Sequence, residues 1–281
     1  MALDALKPDI VSAALETQIR NREVFTQPAV IDREILLDGD SKFYGSLSDP
    51  TVQSYTVGTA LTADRATAGG VQVYMDQAKA TTVKIDKKDV NAIATPEQLL
   101  TSAILLNTTQ QQVQTADSYI ASLYTDAGND LGSISISTGA DAANLITDLI
   151  NALEENNVDP SEVFVGISPA IKNLLSQSSA VIANGSEAAD GRLINGLAFG
   201  QRLYGAAVLA SNSIVESSSN VFKVMAWHKS AIQMIERPLE AEIVGSSTQQ
   251  TSFDTAIKSL WCYGAAVKHA DRLAVATVTV S

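Results

Sequence analysis

Cysteine is almost missing from this chain. Cys262 is the only one in 281 residues, so no internal disulfide can form, which fits a reducing compartment. Histidine is nearly as scarce: only His228 and His269 occur. Neither has a His or Cys partner at metal-ligand spacing, which argues against structural zinc. Positive charge is short as well. Against 31 Asp and Glu stand 19 Lys and Arg, a net charge of −12. Such a chain has no electrostatic footprint for gripping nucleic acid and repels DNA held nearby. No apolar run approaches the roughly 18 residues of a membrane-spanning helix, so no membrane association is expected. The opening MALDALKPDI lacks the basic-then-apolar order of a secretory signal.

Motifs for chemistry are lacking too. Gly196, Gly200 and Gly205 are spaced four and five apart, but neither a phosphate-binding G-x-x-x-x-G-K-[ST] nor a dinucleotide-binding G-x-G-x-x-G occurs. These glycines read as turn and close-packing positions. No G-x-S-x-G elbow is present. DAGND (126–130) resembles half a calcium loop but lacks its glycine and closing glutamate, so it reads as a helix-ending turn. Asp38 and Asp40 read as a solvated turn, and Cys262, between Trp261 and Tyr263, as a small buried hydrophobe. His228, after Trp227, reads as a packed or edge residue. No catalytic residue, metal or cofactor is expected, and the chain is not read as an enzyme.

What is present is a core-forming composition, 46% hydrophobic and 18% charged. Its most distinctive stretch, 94–130, reads as one long helix. Thr95, Pro96 and Gln98 suit an N-cap, a first-turn proline and a capping-box partner. Gly128 suits a left-handed C-cap. Leu99, Ala103, Leu106, Val113, Ala116, Ile120 and Leu123 recur mostly at spacings of three and four, one apolar stripe broken at Gln110. Such a rod spans roughly 50 Å. Its other face, NTTQQQVQT, is uncharged amide and hydroxyl, a poor solubilising surface that suits contact with another element or subunit.

Around this helix the chain reads as α+β without βαβ regularity or internal repeats. Residues 3–25 form a helix-capable arm. Residues 34–83 are rich in Gly, Ser, Thr and Asp with short β-prone runs at 51–57, 71–75 and 81–85, a long two-stranded excursion too poor in apolar residues to make its own core. A second helix is expected within 137–158, with Leu145, Ile146, Leu149, Ile150 and Leu153 on one face. EVFVGI (162–167) reads as a buried strand, and Ser168-Pro169 opens a short helix. A long polar loop follows at 176–191. From 193 onward β patterns dominate.

The order of these segments resembles the major capsid protein of tailed bacteriophages with the Hong Kong 97-like fold, over nearly the whole chain. The similarity rests on VQVYMDQAKATTVKIDKKDV (71–90), ADSYIASLYTDAG (116–128), VFVGISPAIKNLL (163–175), GRLINGLAFGQRLYGAAVLASN (191–212) and IKSLWCYGAAVKHADRLAVATV (257–278). It implies an N-terminal arm at 1–33 and an extended loop at 34–83. A peripheral domain at 84–132 would hold a spine helix at 95–127. An axial domain at 133–236 would carry a capsomer-axis loop at 176–191, and strands at 237–281 would return to the peripheral domain and close the axial sheet.

The function implied is self-assembly as pentamers and hexamers into an icosahedral shell around packaged double-stranded DNA, with no sequence-specific DNA binding. The shell would be assembled in the host bacterial cytoplasm and reside in the virion. Implied partners are further copies of the chain, a separate scaffolding protein, a portal protein and a decoration protein. No long scaffolding segment precedes the arm, so the scaffold is expected to be cleaved off or separate. Candidate inter-subunit contacts are Asp40, Lys42, Tyr44, Tyr55, Arg65, Tyr74 and Lys79 in the extended loop, and Asn184, Glu187, Asp190 and Arg192 in the axial loop. The loop lysines Lys42, Lys79 and Lys84 match no crosslinking motif. The rival readings are an encapsulin-like compartment shell, which generally has a shorter extended loop, and an unusual α+β enzyme, which would need a clustered site. A surface adhesin is disfavoured because no secretory signal is found.

Overall fold

The computed structural model describes residues 24–26, 28–32, 40–47, 52–58, 60, 62, 68–86, 105–178, 202–237, 240–244 and 254–281. Two large sheets carry the fold. The seven-stranded sheet runs β5 (Asn129–Ile136), β14 (Leu273–Val280), β10 (Val221–His228), β6 (Val163–Ile167), β8 (Ala206–Ala210), β7 (Arg202–Leu203), and β9 (Glu216–Ser218) is added beside β10. The five-stranded sheet is built on the long β13 (Asp254–Val267). One side of β13 pairs with β4 (Gln77–Asp86). The other side pairs with β11 (Ile232–Glu236) and β12 (Glu240–Val244) in turn, and β1 (Val30–Asp32) lies parallel to β11. A two-stranded sheet of β2 (Ser41–Leu47) and β3 (Ala68–Tyr74) shares no strand pairing with either large sheet among the described residues.

One face of the seven-stranded sheet is covered by α2 (Gly139–Glu154) and α3 (Pro169–Ser176). Helix α2 starts at Thr138, whose hydroxyl accepts the Asp141 N–H while the Asp141 carboxylate accepts the Thr138 N–H, a full capping box. Its expected stripe, Leu145, Ile146, Leu149, Ile150 and Leu153, is entirely buried. Each such side chain contributes about 1.5–3 kcal/mol relative to exposure. Helix α3 is capped by Ser168 and has Pro169 in its first turn, as its sequence reads.

The other face of this sheet meets a second core, shared with the five-stranded sheet and with α1 (Leu105–Ser122). Strand β10 explains how one strand serves both. Val224 and Ala226 point into the first core, and Met225 and Trp227 into the second, as the two-residue period of a strand dictates. VMAW is therefore continuously apolar because both its faces are covered. Aromatic rings knit the second core: Phe25 and Phe164 lie 5.6 and 6.1 Å from Trp227, and Tyr119 and Trp261 lie 5.7 and 4.7 Å from Tyr263.

Several expectations shift. Val113, Ala116 and Ile120 of the long-helix stripe are buried, while Leu99 and Ala103, and the side chain of Leu106, lie outside the described residues. After Ser122 the helix tightens into a 3-10 turn over Leu123–Asp126, and Ala127 is extended. Gly128 is therefore no left-handed cap. Its N–H donates to the Ala270 carbonyl at 2.8 Å, and any side chain there would strike that carbonyl. Cys262 is half-buried rather than buried. Residues 52–56 of the β-prone run 51–57 form no strand, and Gln53 bonds the Thr62 backbone through its side-chain amide; the strand paired with β3 is the Gly- and Ser-containing β2. Residues 81–85, read as part of the excursion, sit in β4 against β13.

Candidate assembly surface

The excursion is anchored at its base and bare beyond it. In the β2–β3 register, Lys42 faces Val73 and Tyr44 faces Val71. On this inner face, Lys42 Nζ and Tyr44 Oη both donate to Asp32 Oδ2 of β1, at 2.6 and 2.9 Å. Burial, followed by the Asp32 carboxylate, pushes the Tyr44 hydroxyl up to about 12. The Asp40 carbonyl accepts the Met75 N–H at 2.7 Å, and its carboxylate meets Arg237 at 3.2 Å. The opposite face carries Phe43 and Tyr74, both exposed, with the Phe43 ring lying over Gly70. Beyond the strands, Val52 and Val57 are 96% and 88% exposed, and Tyr55 is exposed beside them. Exposed apolar side chains grouped on one segment make a candidate contact surface.

Where the hairpin joins β4, it crosses β13 at Gly264. A Cβ there would overlap the Tyr74 carbonyl, so only glycine lets the two backbones pass. Tyr119 of α1 secures the same joint: its hydroxyl donates to Asp76 at 2.9 Å and accepts the Ala265 N–H at 3.3 Å. Burial raises that hydroxyl to about 12.

A second anchor lies at the end of the arm. Asp117 of α1 is buried, and its Oδ1 accepts the Phe25 and Thr26 N–H groups at 3.0 Å each and the Thr26 hydroxyl at 2.9 Å. Its Oδ2 accepts the Val24 N–H at 3.1 Å. One carboxylate thus gathers three successive backbone donors, locking 24–26 onto the helix. Burial raises its proton affinity above the ordinary carboxylate range, and these donors pull the other way. Beside it opens a cleft of about 420 Å³, lined by Val24, Gln110, Val113, Gln114 and residues 210–213.

The candidate contact residues therefore divide. Tyr55 and Tyr74 project outward. Lys42 and Tyr44 turn inward onto Asp32, and Asp40 reaches Arg237. Lys79 is half-buried on β4 opposite Trp261, not in the paired hairpin. Arg65, Asn184, Glu187, Asp190 and Arg192 lie outside the described residues, as does the side chain of Lys84. Asp117 and Phe43 were missed. The signal for Asp117 was its place on the apolar stripe, four residues after Val113 and three before Ile120. A charge there must be buried and partnered.

No family model and no curated protein sequence matches the chain. Solved structures do. A chain of Mycobacterium phage Che8 is 23% identical with a TM-score of 0.68, over 91% of each chain. A chain of the capsid of Cyanophage P-SCSP1u is 15% identical with a TM-score of 0.69, over 92% of this chain and 89% of that one. A chain of a virus-like particle from Pyrococcus furiosus is 12% identical with a TM-score of 0.56, over 95% and 97%. The chain has the mixed α+β fold of tailed-phage major capsid proteins.

Proposed function

We propose that this chain is the major capsid protein of a tailed double-stranded DNA bacteriophage, a structural tile rather than a catalyst. The observation that carries the reading is the β2–β3 excursion: firmly anchored at its base, yet presenting Phe43, Val52, Tyr55, Val57 and Tyr74 to solvent. A fold shared over about nine-tenths of the chain with phage capsid chains supports it. In this reading the excursion lies over an adjacent subunit, which buries what the single chain leaves bare. Copies joined head to tail in closed rings form pentamers and hexamers through heterologous interfaces, and these tile an icosahedral shell.

The finer map follows the same reading. The five-stranded sheet with α1 forms the peripheral domain, and the seven-stranded sheet with α2 and α3 the axial domain. Residues up to 33 form the arm and 176–191 the loop at the capsomer axis. Scaffolding, portal and decoration proteins are the expected partners, the host cytoplasm the place of assembly, and the virion the destination. The net charge of −12 suits a wall that confines DNA without adhering to it.

A compartment shell enclosing protein cargo is the second reading, favoured by the likeness to the Pyrococcus furiosus particle. The long excursion and the higher TM-scores of the phage chains favour the phage. Negative-stain microscopy with sedimentation of the purified chain tests the proposal. Rings or megadalton shells are expected. A monomer of 29.6 kDa under every scaffold and crowding condition overturns it, and protein cargo in place of DNA in native particles selects the compartment.

A further inference from the structure

The cleft beside Asp117 is also where the described chain begins, because Val24 is one of its lining residues. Helix α1 forms one wall, with Gln110, Gln114 and Asp117, and the turn 211–213 after β8 forms the other. The polar part of the lining consists of carboxamides, hydroxyls and one carboxylate, with no lysine or arginine. Gln114 and Asn212 are exposed, whereas Asp117 is buried.

That carboxylate has donors but no counter-charge. Oδ1 accepts Phe25 N–H and Thr26 N–H at 3.0 Å and the Thr26 hydroxyl at 2.9 Å, and Oδ2 accepts Val24 N–H at 3.1 Å. A carboxylate offers about four acceptor sites, so Oδ2 keeps room for a further donor. Every donor present is neutral, and among the described residues no cation forms an ion pair with Asp117. A buried charge calls for a partner of opposite sign. The sequence supplies one nearby. In RNREV (20–24), Arg20, Arg22 and Val24 alternate, and side chains two apart on an extended chain share a face. Two residues span at most about 7 Å, so Arg22 is tethered close to the carboxylate that holds the Val24 N–H. Its planar fork can bond a carboxylate oxygen and a carboxamide oxygen of the wall together.

We propose that this cleft is the seat of the chain's own arm: residues 20–23 run along it, and the Arg22 guanidinium pairs with Asp117. The acidic cleft and the basic arm end are complementary in charge, and the short tether raises the local concentration of Arg22 at the cleft far above that of any side chain from a second copy. Pairing turns the clasp on 24–26 from a set of neutral hydrogen bonds into a charge-assisted one. The arm is then held by its side chains as well as by its backbone. The inference concerns the single chain and does not rest on the capsid reading.

A photo-crosslinking residue in place of Asn212 in the full-length chain tests the seat. Isotopically light and heavy chains are mixed, irradiated and digested, and the joined peptides are sequenced by mass spectrometry. Crosslinks to residues 20–23 of the same copy are expected. Crosslinks that fall elsewhere, that join light to heavy copies or that do not form overturn the proposal. Amide hydrogen exchange tests the pairing. In Arg22→Gln, protection of Val24, Phe25 and Thr26 should fall roughly fivefold, and Arg22→Lys should restore part of it. In an Asp117→Asn background, Arg22→Gln should change nothing further. Parental protection in Arg22→Gln overturns the pairing, as does an equal loss in the Asp117→Asn background. The crosslinked chain keeps both Arg22 and Asp117, so it decides even if Asp117→Asn fails to fold.

Discussion

Asp117 shows how much one side chain settles here. An aspartate inside a helix is a weak helix former and, when buried, an expense. It is tolerated because Val24, Phe25 and Thr26 turn their backbone donors to it. Removing the carboxylate leaves several buried donors unmatched at about 1–3 kcal/mol each, with the adjoining cleft admitting water to relieve part of the loss. Asp117→Ala should therefore cost about 3 kcal/mol, a fall of roughly 5 °C in thermal midpoint for a chain of this size. The amides of 24–26 should lose exchange protection before any others. If they keep it, the clasp is not what holds the arm. Asp117→Asn keeps the volume and, with its amide oxygen toward Phe25 and Thr26, sets its NH₂ only against the Val24 N–H, so it should recover most of the loss.

At the scale of elements, legibility followed periodicity. Helix α2 was readable because five apolar residues recur on one face, and α3 because Ser168 and Pro169 mark its start. The excursion was misread in detail because β propensity reports fit to a half-buried surface and not pairing itself. TVQSYTV has the composition of a strand, yet its described residues form none. SKFYGSL has glycine and serines and pairs along its whole length. What decided between them was Asp32, ten and twelve residues before Lys42 and Tyr44, which fixes the inner face of β2. Contacts of that kind lie beyond local pattern. Gly264 was equally unreadable, since it reveals itself only where another backbone crosses it. Gly264→Ala should force the β3–β4 joint off β13, because backbone, unlike a flexible side chain, cannot swing aside. We expect Tyr119 to lose its Asp76 and Ala265 partners and the chain to be destabilised by about 2–4 kcal/mol. Denaturant unfolding of the variant checks this, and wild-type stability would mean that the crossing is looser than its geometry implies.

At the scale of the whole molecule, anchored and bare surfaces imply a division of labour. The cores that hold the monomer together draw on both sheets, all three described helices and the end of the arm, but not on residues 52–58. Stability of the tile and its capacity to join other tiles should thus be separable by one alteration. Leu47 pairs with Ala68 at the outer end of the hairpin. Replacing residues 48–67 by an Asn-Gly turn would close β2 onto β3, since that dipeptide supplies the positive φ angles a two-residue hairpin turn needs. The base, with Lys42, Tyr44 and Asp32, stays intact. The shortened chain should fold with a thermal midpoint within about 2 °C of the parent and sediment as a monomer where the parent forms rings or shells. If it unfolds, the excursion contributes to a core and the bare surface has been misjudged. If it assembles normally, the copies recognise one another elsewhere, and Val52, Tyr55 and Val57 must be exposed for some other partner.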